Sequence, residues 1–257
     1  MTTPVLMYHA VGDDVLPAQA DRHYAVSGSA FRDHMASIAG SGLRAGSMRS
    51  LLSGAEARGV VAVTFDDGDA SNAEAAACIA AHGGSADFFV NPANVGKTGF
   101  RDWQALADMA RQGFSIQSHG LTHRYFNEMD EATIAHELRA SKAAIEDHVG
   151  QPVTLFAPPG GRLAPSVPRI AAGLGYAAIC SSRAGVWDPR AGTWDIPRFA
   201  VLATTDAARF ERWIRQDARE LARMRLRQLV LDGMKRLLGN RRYERLRHRA
   251  LGSAEPR

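Results

Sequence analysis

The chain has 257 residues, 46% of them hydrophobic, a net charge of +4 and two cysteines; this is enough for one sizeable core and leads us to expect a single α/β domain with a tail. Cys78 and Cys180 are far apart and have no CxxC spacing, which speaks against a disulfide framework and a thiolate zinc site, so both read as small buried hydrophobes. No stretch reaches the roughly 18 consecutive apolar residues of a spanning helix, and the opening MTTPVLMYHAVGDD lacks the basic start and apolar run of a secretory signal, so a soluble cytoplasmic chain is expected.

Short apolar runs then alternate with longer amphipathic stretches, the pattern of strand-then-helix units around a parallel sheet. VLMY (5–8) reads as the first strand, and FRDHMASIAGSG places Phe31, Met35 and Ile38 at helical spacing before Gly40 and Gly42 end that helix. VVAVTF (60–65) is a continuous apolar strand, as expected of one buried on both faces. Residues 71–82 form an Ala-rich helix with a Ser or Asn cap, closed by Gly83 and Gly84. ADFFV (86–90) is a strand, DWQALADMARQG a helix capped by Asp102, FSIQS (114–118) a strand, and residues 130–150 the longest well-patterned helix. VTLFA (153–157) is a strand before a Pro-Pro-Gly-Gly turn, SVPRIAAGLG a helix and YAAICS (176–181) a further strand.

The composition shifts near Asp206. Residues 206–257 hold 15 Lys and Arg against 7 Asp and Glu, while residues 1–205 hold 16 against 20. The basic pI near 9.4 therefore belongs to the tail. With no recognition motif beside it, it gives no support for a nucleic-acid partner. Residues 1–205 read as one domain and 206–257 as a basic, amphipathic helical extension. Phe210, Trp213, Ile214, Leu221 and Met224 fall roughly on one face of the expected helix. Such a face with basic flanks either packs on the domain or lies on an anionic membrane surface, which would make the protein peripheral to the inner face of the membrane.

Asp66 and Asp67 directly follow the buried strand 60–65, at the end where a barrel of parallel strands opens its active site. Two adjacent carboxylates repel unless a cation or a shared proton relieves them, so the pair points to a metal or to acid–base work, with a helix-capping Asp-Asp-Gly turn as the alternative. His119 and His123, in SHGLTH, likewise follow a strand, and an i, i+4 pair can bring two imidazoles to one ion. Imidazole with carboxylate suits zinc and its first-row neighbours, and three protein ligands leave positions for water and substrate.

TFDDG (64–68), SHGLTH (118–123) and FAPPGG (156–161), in this order, resemble the first three motifs of the NodB-homology polysaccharide deacetylases, a carbohydrate esterase family 4-like group. The resemblance runs from Val5 to about Val201 and includes MYHAVG (7–12) and IPRFAV (196–201). It implies a distorted (β/α) barrel and hydrolysis of N-acetyl groups on an amino-sugar glycan or a lipid-linked amino sugar, as in exopolysaccharide biosynthesis. It also implies a divalent metal, with Zn2+ the expected ion, bound by Asp67, His119 and His123. Asp66 becomes the base that activates the attacking water, Ser118 and Thr122 order the histidine loop, and the Pro158, Pro159, Gly160 turn lies against the substrate.

The chain also departs from that pattern. Where many members carry a third-motif Arg that orients the catalytic Asp, this chain has Ala157, so Arg162 and Arg198 are the candidates to replace it. The late Leu-x-His motif, whose imidazole protonates the leaving amine, has no match after Val201, and His9 at the exit of the first strand is the expected substitute. Two other readings stand beside the deacetylase: a related hydrolase of formamides or other non-peptide C–N bonds, and a carbohydrate-binding relative without turnover.

Overall fold

A computed structural model of the chain describes residues 2–12, 22–55, 59–224 and 226. The chain divides into two compact units, Met1–Gln216 and Asp217–Arg257. In chain order the first unit holds β1 (Thr3–Tyr8), β2 (Ala10–Val11), β3 (Ala25–Val26), α1 (Gly28–Gly40), β4 (Arg44–Gly46), α2 (Met48–Leu52), β5 (Val60–Phe65) and α3 (Asn72–Ala81). There follow β6 (Asp87–Val90), α4 (Trp103–Arg111), β7 (Ser115–Ser118), α5 (Glu131–Val149), β8 (Leu155–Phe156), α6 (Val167–Gly173), β9 (Ala178–Ile179), β10 (Val186–Trp187), β11 (Phe199–Ala200) and α7 (Ala207–Ile214).

Nine of these strands form one sheet, whose main path runs β10-β1-β5-β6-β7-β8-β9. Every pairing along it is parallel except the β10–β1 edge. The sheet curls into a barrel: β11 pairs with β1, and a parallel bridge joins Cys180, just past β9, to Ile196, just before β11. This is the α/β architecture expected from the strand–helix alternation. β5 and β6 are buried along their whole length, as a central parallel strand must be. The barrel interior packs Val5, Ala62, Phe89, Leu155, Ala178, Cys180 and Ile196 into one cluster, and an aromatic series Tyr8, Phe65, Phe88 runs alongside.

Local signals fix most helix ends. Asp102 and Asp130 accept the amide hydrogens of Ala105 and Thr133, and Gly150 closes α5 in the left-handed conformation at φ 72°. Ser71 does not cap α3. Its hydroxyl donates to Asp69 at 2.6 Å and accepts from the Val11 amide at 3.0 Å, so it ties β2 to the loop after β5.

The two units part after Gln216, so α7 belongs to the first of them. Asp206 caps this helix, and its apolar side is spent on the barrel: Phe210 stacks on His34 with centroids 3.9 Å apart and Trp213 on Phe199 at 5.0 Å. Phe210, Trp213 and Ile214 are all buried and cannot form a lipid-facing stripe. The continuous helix expected from residue 210 breaks at Gln216, whose φ is 55°, and Asp217 opens the second unit by accepting the Glu220 amide. Leu221 and Met224 are half-buried in that unit, and the basic run from residue 227 lies outside the described residues. No helix among the described residues is long and apolar enough to cross a membrane.

His34 carries a measurable consequence of this packing. It lies between Phe210 and the Tyr8 hydroxyl, 3.0 Å from its Nδ1, and burial pushes its pKa down to about 4 from an ordinary 6.5. The unfolded chain takes up this proton first, so stability present above pH 6.5 falls as the pH drops towards 4. By pH 5 the loss should be about 2 kcal/mol. His34→Phe keeps the stack and cannot be protonated, so thermal unfolding from pH 7 to 5 should show a shallower decline for the variant. Parallel declines for the two proteins would remove His34 as the cause.

Candidate active site

The groups of interest stand at one end of the barrel, on residues that follow the C-terminal ends of strands: His9 after β1, Asp66 and Asp67 after β5, Asn91 after β6, His119 after β7 and Ala157 after β8. Asp66 continues the β5 register, its amide donating to the Tyr8 carbonyl at 2.9 Å. Asp67 then turns into the left-handed region at φ 76°, a conformation that is uncommon outside glycine and that swings its carboxylate away from that of Asp66. The two aspartates thereby enter different environments.

Asp67 Oδ1 lies 3.3 Å from His119 Nε2 and 3.1 Å from His123 Nε2. His123 is also left-handed, at φ 62°. His119 is buried and its Nδ1 sits 2.8 Å from the Ala157 carbonyl oxygen, which can only accept; the proton is therefore on Nδ1, and Nε2 presents a lone pair to Asp67. A carboxylate oxygen facing an imidazole lone pair, as Asp67 faces that of His119, repels it unless a cation lies between. The three donor atoms fall within 4.8 Å of one another, and separations of 3.1 and 3.3 Å suit neighbouring ligands around a tetrahedral ion with bonds of about 2.0–2.2 Å. These residues fit a divalent metal. The side chains of Asp67 and His123 are 34% and 42% exposed, so the cluster is open on one side. Burial alone would raise the Asp67 pKa, but an imidazole that carries a proton on Nε2 hydrogen-bonds to the carboxylate, and this outweighs burial and holds the carboxyl well below its usual range, so a proton or a metal ion answers the same carboxylate. Asp67 in turn raises His123, so protons compete for the place of the ion as pH falls.

The loop carrying both histidines is held from behind by a residue with no counterpart in the sequence reading. Glu137 of α5 is buried, and its carboxylate accepts from the amides of Leu121 at 2.8 Å and Thr122 at 3.0 Å and from the Thr122 hydroxyl at 2.5 Å. Ser118 accepts from the Gly120 amide, while Asn91 donates to the carbonyls of His119 and Gly120. Glu137 shares the buried face of α5 with Ile134, Leu138, Ser141 and Ile145. A charged residue at an apolar-face position was the signal that could have found it.

Asp66 is kept out of the ligand set by Arg198. The guanidinium reaches across the barrel to make a two-pronged contact, Nη1 to Oδ1 at 2.7 Å and Nη2 to Oδ2 at 2.9 Å, with both side chains buried. It is itself aimed by Nε donating to the Ser181 carbonyl at 2.9 Å and Nη1 to the Thr64 hydroxyl at 3.1 Å. Burial pushes the Asp66 pKa up, but the charge of Arg198, then His119, then the hydrogen bonds from Arg198 bring the net result below the usual carboxylate value. Asp66 is ionised at neutral pH.

The remaining candidates separate. Arg162 lies over the Tyr125 ring, 4.1 Å from its centroid, and 3.9 Å from Glu128. His9 stands at the same barrel end, its ring 4.4 Å from that of Tyr24 and its loop pinned by Asn72, which donates to the His9 carbonyl. Burial lowers the His9 pKa even against the pull of Asp67 and Asp66. Of the Pro158, Pro159, Gly160 turn, both prolines are buried and only Gly160 is exposed.

Residues 53–179 match the sequence profile of the polysaccharide deacetylases. Over this span the chain is similar to the polysaccharide deacetylase family. Members of this family are hydrolases acting on N-acetyl groups. Three solved structures share the fold. The chain is similar to the deacetylase PplD of Streptococcus pyogenes, with a TM-score of 0.74 at 22% identity, covering 83% of this chain and 98% of that one. It is similar to a polysaccharide deacetylase from Bacillus cereus, with a TM-score of 0.75 at 24% identity, covering 83% and 69%. It is also similar to IcaB from Ammonifex degensii, with a TM-score of 0.68 at 24% identity, covering 83% and 97%. A search of curated protein sequences gives no match. Within the polysaccharide deacetylase fold, Asp67, His119 and His123 form the only cluster among the described residues with the geometry to hold a metal.

Proposed function

We propose that the protein is a metal-dependent N-deacetylase acting on an amino sugar of a glycan or a lipid-linked sugar, with Zn2+ as the ion. The observation that carries this reading is the division of the aspartate pair: one carboxylate faces the Nε2 atoms of two imidazoles, and its neighbour is clamped by Arg198 and stays free for proton transfer. A divalent ion at Asp67, His119 and His123 would supply a Lewis acid and acidify a water beside it.

Asp66 then does the proton work. It is ionised, fixed in direction by two hydrogen bonds, and retains a lone pair on each oxygen to accept the proton of the water that attacks the acetyl carbonyl. Attack forms the C–O bond; collapse breaks the C–N bond, and the proton held on Asp66 passes to the amine, leaving acetate and a free amino sugar. We assign the return of the proton to Asp66 because burial holds His9 neutral at neutral pH, which leaves that imidazole a relay and not a standing acid. The reading as a relative without turnover rested on Ala157 and the missing late histidine; Arg198 supplies the contact that Ala157 cannot make.

The test is acetate release from N-acetylated chitooligosaccharides and polyprenyl-linked amino sugars, by protein loaded with Zn2+ and by the same protein after chelation. Acetate should appear with the loaded protein, stop on chelation and return with added metal. Protein carrying one ion per chain that releases acetate from none of these substrates would overturn the reading.

A further inference from the structure

We infer that Tyr125 is a substrate-positioning residue, a stacking platform for a second sugar ring next to the N-acetylated one. This rests on the deacetylase reading and adds to it a preference for oligomeric over single-sugar substrates. Among the described residues of the first unit, Tyr125 is the one large hydrophobic side chain left exposed, at 37%. An aromatic ring in water is ordinary where it is isolated. Here two surrounding segments hold it in place.

Both of those segments also build the metal cluster. Tyr125 is two residues beyond His123, and its carbonyl accepts the Glu128 amide, which fixes its backbone in the short 3-10 turn after the histidine loop. Its ring lies against Gly160, three residues after Ala157, whose carbonyl holds the His119 imidazole. A Cβ at Gly160 would come within 2.9 Å of Tyr125 Cε1, and Gly160 has φ 60°, so the ring occupies space that only a glycine leaves open. Arg162 covers the ring from the same turn, 4.1 Å from its centroid.

A pyranose has faces of C–H groups that pack on an aromatic face, and a ring held in advance loses little side-chain entropy on binding. The polar groups at this barrel end suit the reacting acetamide, while none of them offers an apolar face to a neighbouring sugar. Tyr125, 37% exposed and two residues beyond the exposed His123, is the aromatic side chain placed to do so with the part of its ring that Arg162 and Gly160 leave uncovered.

The experiment compares wild type, Tyr125→Phe, Tyr125→Leu and Tyr125→Ala, all Zn2+-loaded, on N-acetylglucosamine tetramer and on p-nitrophenyl acetate, with tetramer binding to the metal-free proteins measured by saturation-transfer NMR. Tyr125→Ala and Tyr125→Leu should raise KM for the tetramer about ten-fold with little change in kcat, the scale of one aromatic contact. Tyr125→Phe should behave as wild type, and p-nitrophenyl acetate turnover and metal content should be equal in all four. Saturation transfer to the tetramer should weaken in the Ala and Leu proteins. An unchanged KM in the Ala and Leu variants, with the wild type active on the tetramer, overturns the platform and leaves the deacetylase reading standing. Metal loss in the Leu variant also overturns it, by showing that the ring serves the histidine loop. A wild type that neither binds nor deacetylates the tetramer or any other acetylated amino sugar overturns both.

Discussion

His119→Ala should lose the metal and the activity together, the largest single effect expected in this protein. His119 is buried, and its tautomer is set by the Ala157 carbonyl, so its Nε2 lone pair is delivered to the cluster without conformational choice. Loss of an outer partner of a metal ligand commonly costs 10–100-fold in affinity, and loss of the ligand itself should exceed that. What remains is Asp67 with His123, whose side chain is 42% exposed. Dialysed His119→Ala protein should therefore hold far less than one Zn2+ per chain by elemental analysis, with acetate release at background. His123→Ala should follow the same course with a smaller loss, since its more exposed position is more readily taken by water. Full turnover with stoichiometric metal in His119→Ala would place the ion elsewhere.

What made this cluster legible in sequence was its position relative to strands that can be read. VVAVTF and FSIQS are unbroken apolar or alternating runs, so the residues that end them are known to stand at the barrel mouth, and a costly Asp pair and a histidine pair there leave few explanations. Glu137 was not legible in the same way. It acts from within α5, eighteen residues after His119, and nothing local connects it to the loop it holds. Arg198 was reached through the family resemblance alone, because a contact spanning 132 residues leaves no trace in local patterning.

The elements that escaped are those whose stability is entirely tertiary. β2, β3, β10 and β11 have two residues each and β4 three, too few for a period to show. The start of the tail left two readings open for a related reason. An amphipathic helix with basic flanks has one pattern whether its apolar side meets lipid or protein, and only the stacking of Phe210 on His34 and Trp213 on Phe199 decides for the barrel. The break at Gln216 was hidden because neither glycine nor proline marks it; a glutamine there takes φ 55°, and its side chain bonds back to Thr2.

Asp66→Asn should keep the metal and reduce turnover by about 10²–10⁴-fold, the usual worth of a positioned acid–base group. The amide is nearly isosteric, stays clear of the ligand set and cannot accept the proton. The pair to which Asp66 belongs gives a second reading of the same role. Arg198 and Asp66 are both buried, and removing one member of such a pair leaves an unpaired charge at a cost of about 3–5 kcal/mol. Arg198→Met should therefore be strongly destabilised, whereas Asp66→Asn with Arg198→Met should recover part of the loss. Arg198→Lys keeps a charge but not the fork, so Asp66 loses one of its two hydrogen bonds and its fixed direction. With the restraint weakened, burial, which pushes the Asp66 pKa up, gains on the attraction that holds it down. The acid limb of the kcat/KM profile should then move to higher pH in Arg198→Lys, and the same protein should keep one metal per chain. An acid limb unmoved by this substitution would separate Arg198 from the proton chemistry of Asp66, and metal loss in Asp66→Asn would return both carboxylates to the ion.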